Sequence, residues 1–219
     1  MKSKFFILAL LAVSVLACKS DTKTQDSTPK TTESSASSTN ACKYGVKAEG
    51  VKVNWTAFKT TKRVGVKGTF DSVELNTANG TPSLSTLMMA TSFKINTKTV
   101  NSNNPGRDEK LVNFFFGRMT GNLAITGNIK SVAGDNEKGK GIVNVNMNGV
   151  SWDAPFDYAV VSDTLTITTN INTNNWNAQD AITSINKACE DKHKGEDGVS
   201  KTWPDVDVNV VVPLVVDCK

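Results

Sequence analysis

Leu165-Thr166-Ile167-Thr168-Thr169-Asn170-Ile171 is the stretch of this 219-residue chain that decides the fold class. Its large apolar residues share one side of an extended chain, because side chains alternate in direction along a β-strand. This period of two is typical of a strand with one buried face and one face in water. Antiparallel sheets produce it, whereas strands of parallel sheets are apolar on both faces. The stretch therefore predicts an antiparallel sheet.

The same period of two recurs along most of the chain beyond residue 50. It is present over 53–57, 64–70, 143–147 and 206–212, and strands are also predicted over 91–100, 119–132 and 151–161. Turn signals separate several of these strands, at Asn79-Gly80, Gly134-Asp135 and Asn148-Gly149. A single sheet of eight or nine strands usually curls and closes. We therefore expect an all-β fold, a closed antiparallel barrel of about eight strands.

Two segments depart from the strand periodicity. An amphipathic helix is predicted before the last strand, since apolar residues recur there at helical spacing, namely Ala178, Ala181, Ile182, Ile185, Ala188 and Cys189. Asn177 is expected to cap the start of this helix, and Gly195 follows its Lys-rich end. A shorter helical turn is predicted over 107–116, with Leu111, Phe114 and Phe115 as its buried face.

The first 18 residues predict secretion and lipidation. Lys2 and Lys4 precede an apolar run of 13 residues over 5–17, which is the pattern of a signal peptide. The run is too short for a transmembrane helix, which needs about 20 residues. The tetrad Val15-Leu16-Ala17-Cys18 resembles a bacterial lipobox, whose cysteine receives fatty acyl chains such as palmitate. Residues 1–17 are thus expected to be removed, leaving Cys18 as the lipid attachment site and membrane anchor.

Residues 18–40 are predicted to be a lipidated, disordered tether. They consist mostly of Ser, Thr, Lys, Asp and Glu without an aromatic residue, so they cannot bury enough surface to offset the entropy of ordering. The folded domain is then expected over 41–219. Lys19 after Cys18 fits outer-membrane sorting, and Lys19-Ser20-Asp21 resembles a surface-export signal. We expect a cell-envelope protein, an outer-membrane lipoprotein facing the periplasm or the cell surface.

Charge and motifs exclude several classes of function. The chain has 25 Lys and Arg, two of them in the signal peptide, against 21 Asp and Glu. The mature net charge near +2 is scattered, so nucleic acid is not an expected partner. We find no catalytic motif and expect no enzyme. We also expect no metal site, because the cysteines and His193 lack metal-ligand spacing, and we expect His193 to be solvated.

Three cysteines remain besides Cys18, and an oxidising compartment favours a disulfide between two of them. Cys42 precedes the first strand and Cys218 follows the last. In a closed up-and-down barrel these two strands are antiparallel neighbours, so we predict a Cys42–Cys218 disulfide with Cys189 as a buried thiol. The alternative is a Cys42–Cys189 pair, which requires the helix to fold over the end of the barrel.

An eight-stranded barrel is either filled by side chains or holds one small ligand. The inward positions of this chain are apolar, so a cavity would suit a hydrocarbon chain, and the sequence leaves both options open.

An ordered series of motifs carries a resemblance to a known family. The motifs are Val53-Asn54-Trp55, the stretch 62–70, Phe93-Lys94-Ile95-Asn96, the stretch 100–104, Arg107-Asp108-Glu109-Lys110-Leu111, Phe114-Phe115 and the stretch 121–127. Over roughly residues 51–172 the chain resembles the YceI-like family, lipocalin-like periplasmic barrels that bind polyisoprenoid lipids. Lys110 replaces the histidine of the family's turn, Asn113 replaces an aspartate, and the predicted helix before the last strand is similar to an insertion.

The resemblance implies an apolar tunnel for an isoprenoid tail, with no other cofactor. The residues that would contact the tail are Trp55, Phe70, Phe93, Leu111, Phe114, Phe115, Leu123, Ile125, Phe156, Leu165 and Ile167. Arg107 and Lys110 would contact a phosphate or quinone head group at the mouth. Alternatively, Arg107-Asp108 fixes the turn as a local ion pair or cap, and the phenylalanines pack in the core.

The expected function is carriage or sequestration of an apolar lipid in the cell envelope. The alternative is a surface interaction or adhesion module with a filled barrel core and no ligand.

Overall fold

A computed structural model describes residues 41–121 and 123–219, and the predicted signal peptide, Cys18 and tether lie outside the described residues. The described chain forms eleven strands, β1 (Cys42–Val46), β2 (Lys52–Lys59), β3 (Val64–Phe70), β4 (Val73–Asn76), β5 (Ser92–Asn96), β6 (Val100–Asn101), β7 (Ala124–Gly134), β8 (Lys138–Met147), β9 (Val150–Val161), β10 (Thr164–Asn172) and β11 (Thr202–Cys218). All the strand pairs are antiparallel, as the alternating pattern predicts.

The strands form one strongly curled sheet. Their order is β4-β5-β7-β8-β9-β10-β11-β2-β3-β6, and β1 pairs with the far end of β11. β4 is the first strand in this order, and β3 is next to the last strand, β6. Only two residues connect β3 to β4 in the chain. The two edges of the sheet are therefore close in space. Within the described residues the ladder of paired strands is nonetheless open between β4 and β6.

The helices lie in the connections between strands. They are α1 (Leu84–Met89), α2 (Pro105–Lys110), α3 (Gln179–Ala188) and α4 (Glu190–His193). A π-helical turn (Leu111–Phe115) and a 3₁₀ turn (Phe116–Arg118) continue α2, and further 3₁₀ turns cover Ala48–Gly50, Thr97–Thr99 and Thr173–Trp176. The structure thus confirms an amphipathic helix before the last strand and a helical turn over 107–116.

Two predicted strands are shorter than expected. The stretch 91–100 is divided into β5 and β6, because the Asn96 side chain accepts a hydrogen bond from the Lys98 amide (3.1 Å) and turns the backbone into a 3₁₀ helix. The stretch 119–132 becomes a strand only at Ala124, since Gly121 (φ 105°) and Leu123 (φ 51°) have left-handed backbone. Local hydrogen bonding and turn conformation therefore replace extended chain at both places.

The start of α3 also differs from the prediction. Asn177 does not cap this helix but adopts a left-handed conformation (φ 54°), and Ala178 occupies the N-cap position. The Asn148 amide donates hydrogen bonds to the carbonyls of Trp176 (2.8 Å) and Asn177 (3.1 Å). The fully buried Trp176 indole donates to the Val145 carbonyl (2.9 Å). These contacts fix the backbone before α3, so the Asn177 side chain is not required as a cap.

The predicted buried face of the 107–116 turn is wrong at one residue. Phe114 is 39% exposed, whereas Phe116 is buried and Leu111 and Phe115 are half-buried. The prediction assumed α-helical spacing, but this turn is a π-helix, whose wider turn changes which residues share a face. Phe116 packs with Trp55 and Val100, and so takes the place that Phe114 was expected to occupy.

The predicted disulfide joins Cys42 to Cys218, and Cys189 is a buried free thiol. β1 runs antiparallel to the end of β11 with Cys42 directly opposite Cys218, which is the reason that these two cysteines meet. The alternative Cys42–Cys189 pair is wrong.

Candidate functional site

The curled sheet encloses a cavity of about 540 Å³, a volume typical of small-molecule sites. The cavity extends from Val46 and Val51, beside the far end of β11, to His193 and Trp203 near the start of β11. Its wall is formed mainly by aliphatic and aromatic side chains that point inward from the strands. A filled core, which the alternative function requires, therefore disagrees with the structure.

The alternation that predicted the fold also decides which side chains form the wall. In β10 the wall includes Leu165, Ile167, Thr169 and Ile171, and in β11 it includes Val206, Val208, Val210 and Val212. The intervening residues of both strands are absent from the wall, since successive side chains in a strand point to opposite faces. The apolar face of each strand thus faces the cavity.

Most of the predicted tail-contact residues lie in this wall. They are Trp55, Phe70, Phe93, Leu111, Phe115, Ile125, Phe156, Leu165 and Ile167. Phe114 and Leu123 do not line the cavity. Phe114 is turned outward by the π-helix, and Leu123 lies on left-handed backbone before β7 and packs beside the cluster of Trp55, Val100 and Phe116.

Several wall residues were not among the predicted ligand contacts. α3 contributes Ile182 and Ile185, and Cys189 follows it. Their helical spacing predicted that they share one face of a helix, but it did not predict that this face covers the cavity. Leu87 and Met88 come from α1, a helix that was not predicted. Its one signal was Ser83, whose side chain caps the helix by accepting from the Thr86 amide (3.1 Å).

One end of the cavity is polar, and we call it the polar end. It is formed by Lys59, Asn104, Gly106, Arg107, Lys110, Lys192, His193 and Thr202. Asn104, Gly106 and Lys192 are exposed, so the cavity reaches the protein surface here. Arg107 and Lys110, the predicted head-group residues, are both in this set. The Cys42–Cys218 disulfide lies at the other end of β11.

The loop that presents Arg107 is held by side chains other than Arg107 itself. Asn104 caps α2 by accepting a hydrogen bond from the Arg107 amide (3.0 Å), and Asp108 accepts from the amide and hydroxyl of Ser102 (2.9 and 2.5 Å). Asp108 therefore fixes the turn. In the described part of the chain the Arg107 guanidinium has no hydrogen bond or ion pair within the protein, so it is available to a ligand.

Two lysines of the polar end contact the carboxyl ends of helices. Lys110 donates to the Ala188 carbonyl (2.8 Å) at the end of α3, and Lys59 donates to the Lys192 carbonyl (2.9 Å) in α4. Such carbonyls lack partners within their helix and attract cations. Each ammonium group has three donors, so neither lysine is fully used by this contact.

His193 is not solvated as predicted but lines the cavity. Its Nδ1 lies 2.7 Å from the Thr202 hydroxyl and 3.3 Å from the Asn186 side-chain oxygen. Burial lowers the pKa of His193 to about 4, and the positive charges of Lys59 and Lys110 act in the same direction. The imidazole is therefore neutral near pH 7.

Within 41–121 and 123–219 there is no group of three or more His, Cys, Asp or Glu side chains that could hold a metal ion. No helix in those ranges has the length and apolar character needed to cross a membrane.

Comparison with known proteins gives matches in structure alone. No family model matches the chain, and no curated protein matches it. A polyisoprenoid-binding domain from Saccharophagus degradans, implicated in plant cell wall breakdown, superposes with a TM-score of 0.53 at 12% identity, covering 82% of this chain and 99% of that one. BcnA of Burkholderia cenocepacia gives 0.51 at 14% identity, covering 78% and 99%. The YceI protein of Campylobacter jejuni gives 0.50 at 19% identity, covering 74% and 90%.

These similarities show the fold. The described chain has the YceI-like fold, as the series of motifs predicted, with an antiparallel sheet curled around an apolar interior.

Proposed function

We propose that this protein binds a lipid with a long apolar chain, such as a polyisoprenoid, inside its curled sheet. The observation that carries the proposal is the cavity of about 540 Å³, with an apolar wall along its length and polar side chains gathered at one end. Burial of an apolar chain in such a space is favourable in proportion to the apolar area removed from water. The name of the Saccharophagus degradans domain supports the same class of ligand.

We also propose that the sheet closes into a barrel around this ligand. Support comes from the corner between its two edges, where the Asp71 amide donates to the Thr99 carbonyl (3.0 Å) and the Asn96 amide donates to the Ser72 carbonyl (3.1 Å). With these bonds, β3 continues into β4 and β5 continues into β6 as two bent strands. The barrel would then have about eight strands with β1 added at the seam, in the range in which a barrel can hold one small ligand.

The third part of the proposal is a membrane anchor at Cys18. The support is the tetrad Val15-Leu16-Ala17-Cys18 and the polar stretch that follows it. Two or more acyl chains anchor a protein stably, whereas one binds marginally. Metabolic labelling with a palmitate analogue tests the anchor. We expect label and outer-membrane fractionation for the natural chain, and neither for Cys18→Ala; label retained in the variant would contradict the assignment.

Lipid extraction and mass spectrometry of the purified protein test the binding function. We expect a stoichiometric, single-chain lipid that is absent from a control protein purified in parallel. If no lipid co-purifies and the delipidated protein binds none, the proposal is wrong, and a surface interaction module whose cavity holds no ligand becomes the better account. Carriage or sequestration of the bound lipid within the envelope follows from the proposal, and no catalytic residue is assigned.

A further inference from the structure

The short helix α1 lies at the end of the curled sheet opposite the polar end. It contacts β1 and β7, and β1 pairs with the far end of β11. At the start of α1, the Leu84 amide donates a hydrogen bond to the side-chain oxygen of Asn136 (3.1 Å), in the turn between β7 and β8. Leu87 and Met88 of the same helix line the cavity, and we call these two residues the floor.

The cavity is closed at the floor. The side chains of Leu87 and Met88 are only 1% and 3% exposed. Tyr44 and Leu84 are buried in the same core cluster but do not line the cavity, so the space beyond the floor is filled. The wall residues that are exposed all belong to the polar end, and they are Asn104, Gly106 and Lys192. In the described chain the cavity therefore opens at the polar end and stops at the floor.

The volume of the cavity limits the chain that it can hold. A methylene group in a liquid hydrocarbon occupies about 27 Å³, slightly less than the share of one water molecule in liquid water. A cavity of about 540 Å³ therefore holds about 20 carbons at that density, equivalent to about four isoprene units. A chain of about ten isoprene units would need more than twice this volume.

The length of the cavity gives a second, independent limit. Its wall extends along β10 from Leu165 to Ile171 and continues to Thr173. At about 3.3 Å per residue, the interval from Leu165 to Thr173 spans about 26 Å. An extended hydrocarbon advances about 1.3 Å per carbon, because its bonds of about 1.5 Å follow a zigzag. About 20 carbons span this distance, so volume and length agree on one extended chain.

We propose that the ligand has one apolar chain of about 20 carbons, and that Leu87 and Met88 set this limit by closing the cavity. This inference rests on the proposed function, because it assumes that a lipid chain lies inside the sheet. A shorter chain leaves part of the apolar wall without contacts. A longer chain must extend through the polar end into water, where each exposed methylene weakens binding about fourfold.

Loading from vesicles measures this limit. The purified, delipidated protein is incubated with phosphatidylcholine vesicles that contain equal amounts of hexadecanol, eicosanol, tetracosanol and octacosanol. These alcohols share a head group and differ only in chain length. After the protein is re-isolated, mass spectrometry quantifies each bound alcohol. We expect hexadecanol and eicosanol to load, and octacosanol to load at least about tenfold less than hexadecanol, since several of its methylenes remain in water. Geranylgeraniol and solanesol, a short and a long isoprenoid alcohol, repeat the comparison with branched chains.

Variants of two adjacent methionines of α1 locate the limit. Met88→Ala should make room for about three further carbons, so the ratio of bound octacosanol to bound hexadecanol should rise at least about tenfold. Met88→Trp should fill part of the cavity and lower the ratio of eicosanol to hexadecanol about tenfold, which keeps the inference testable if Met88→Ala does not fold. Met89→Ala and Met89→Trp are the matched controls, because Met89 is 50% exposed and outside the cavity wall. Their ratios should equal those of the unaltered protein.

The outcomes separate this inference from the proposed function. If octacosanol loads into the unaltered protein as well as hexadecanol does, the cavity binds lipid but the limit on chain length is wrong. The inference is also wrong if the Met88 variants give the same ratios as the Met89 variants. If none of the alcohols loads, the proposed function itself fails.

Discussion

Removal of the Cys42–Cys218 disulfide should strongly destabilise the described domain. The bond closes a segment of 176 residues, nearly the whole of the described chain. In the unfolded state it prevents the two ends from separating, which lowers the entropy of that state. The bond also ties β1 to the end of β11, the strand with which β1 pairs.

The magnitude follows from the length of the closed segment. For a loop of this size, the chain-entropy relation gives about 5 kcal/mol at 25 °C, and measured disulfides more often contribute about 2–4 kcal/mol. We therefore expect Cys42→Ser/Cys218→Ser to lose about 3–5 kcal/mol of unfolding free energy. For a domain of this length, that loss corresponds to a fall in Tm of about 6–20 °C.

Urea unfolding followed by tryptophan fluorescence, with and without dithiothreitol, measures this loss. Dithiothreitol should lower the midpoint of the unaltered protein to that of the double variant, and should not affect the double variant. Cys189→Ala is the matched control, since Cys189 is a free thiol and the variant should still respond to the reductant. A double variant within about 1 kcal/mol of the unaltered, oxidised protein would refute the loop-closure reasoning.

Three further predictions test the cavity, the turn and the histidine. Ile167→Trp should block the cavity and lower the amount of co-purifying lipid at least about tenfold. Thr168→Trp, on the exposed face of the same strand, should leave that amount unchanged. Mass spectrometry of extracted lipid compares the two variants, and equal lipid content would contradict the assigned wall. Asn148→Ala should lower the free energy of unfolding, measured in urea, by about 2–3 kcal/mol. The reason is that Asn148 has left-handed backbone (φ 54°) and its side chain accepts a hydrogen bond from the Thr120 amide (2.6 Å). A loss below about 1 kcal/mol would count against these roles. The pKa of His193 is about 4 in the folded protein and near 6.5 in the unfolded chain, so between these pH values the unfolded state binds more protons. The free energy of unfolding should therefore fall as the pH is lowered from about 6.5 to about 4. His193→Gln should flatten this pH dependence, and an unchanged slope would show that other groups cause it.

Local pattern in the sequence determined the sheet and the direction of its side chains. The alternation over 165–171 predicted which residues of β10 face inward, since a strand reverses side-chain direction at every residue. Asn148-Gly149 predicted a hairpin, and the structure has left-handed backbone at both residues (φ 54° and 71°), as a type I′ turn requires. The Cys42–Cys218 pair was also predictable, because the first and last strands of such a fold are neighbours.

Positions that depend on packing between distant segments were decided only by the tertiary structure. His193 was expected in water, but α4 places it in the cavity wall beside Thr202. Burial there, helped by the charges of Lys59 and Lys110, lowers its pKa to about 4. Phe114 was expected inside, but hydrogen bonding in the π-helix changed which side chain faces the core.

Whether the interior is hollow or filled was likewise decided by the tertiary structure. Sequence periodicity specified an apolar interior, but the same apolar residues fit a filled core and a hollow one. Whether space remains depends on how far the curled strands and the covering helices stand apart. That separation is a property of the packed elements together, because each strand's periodicity specifies only its own two faces.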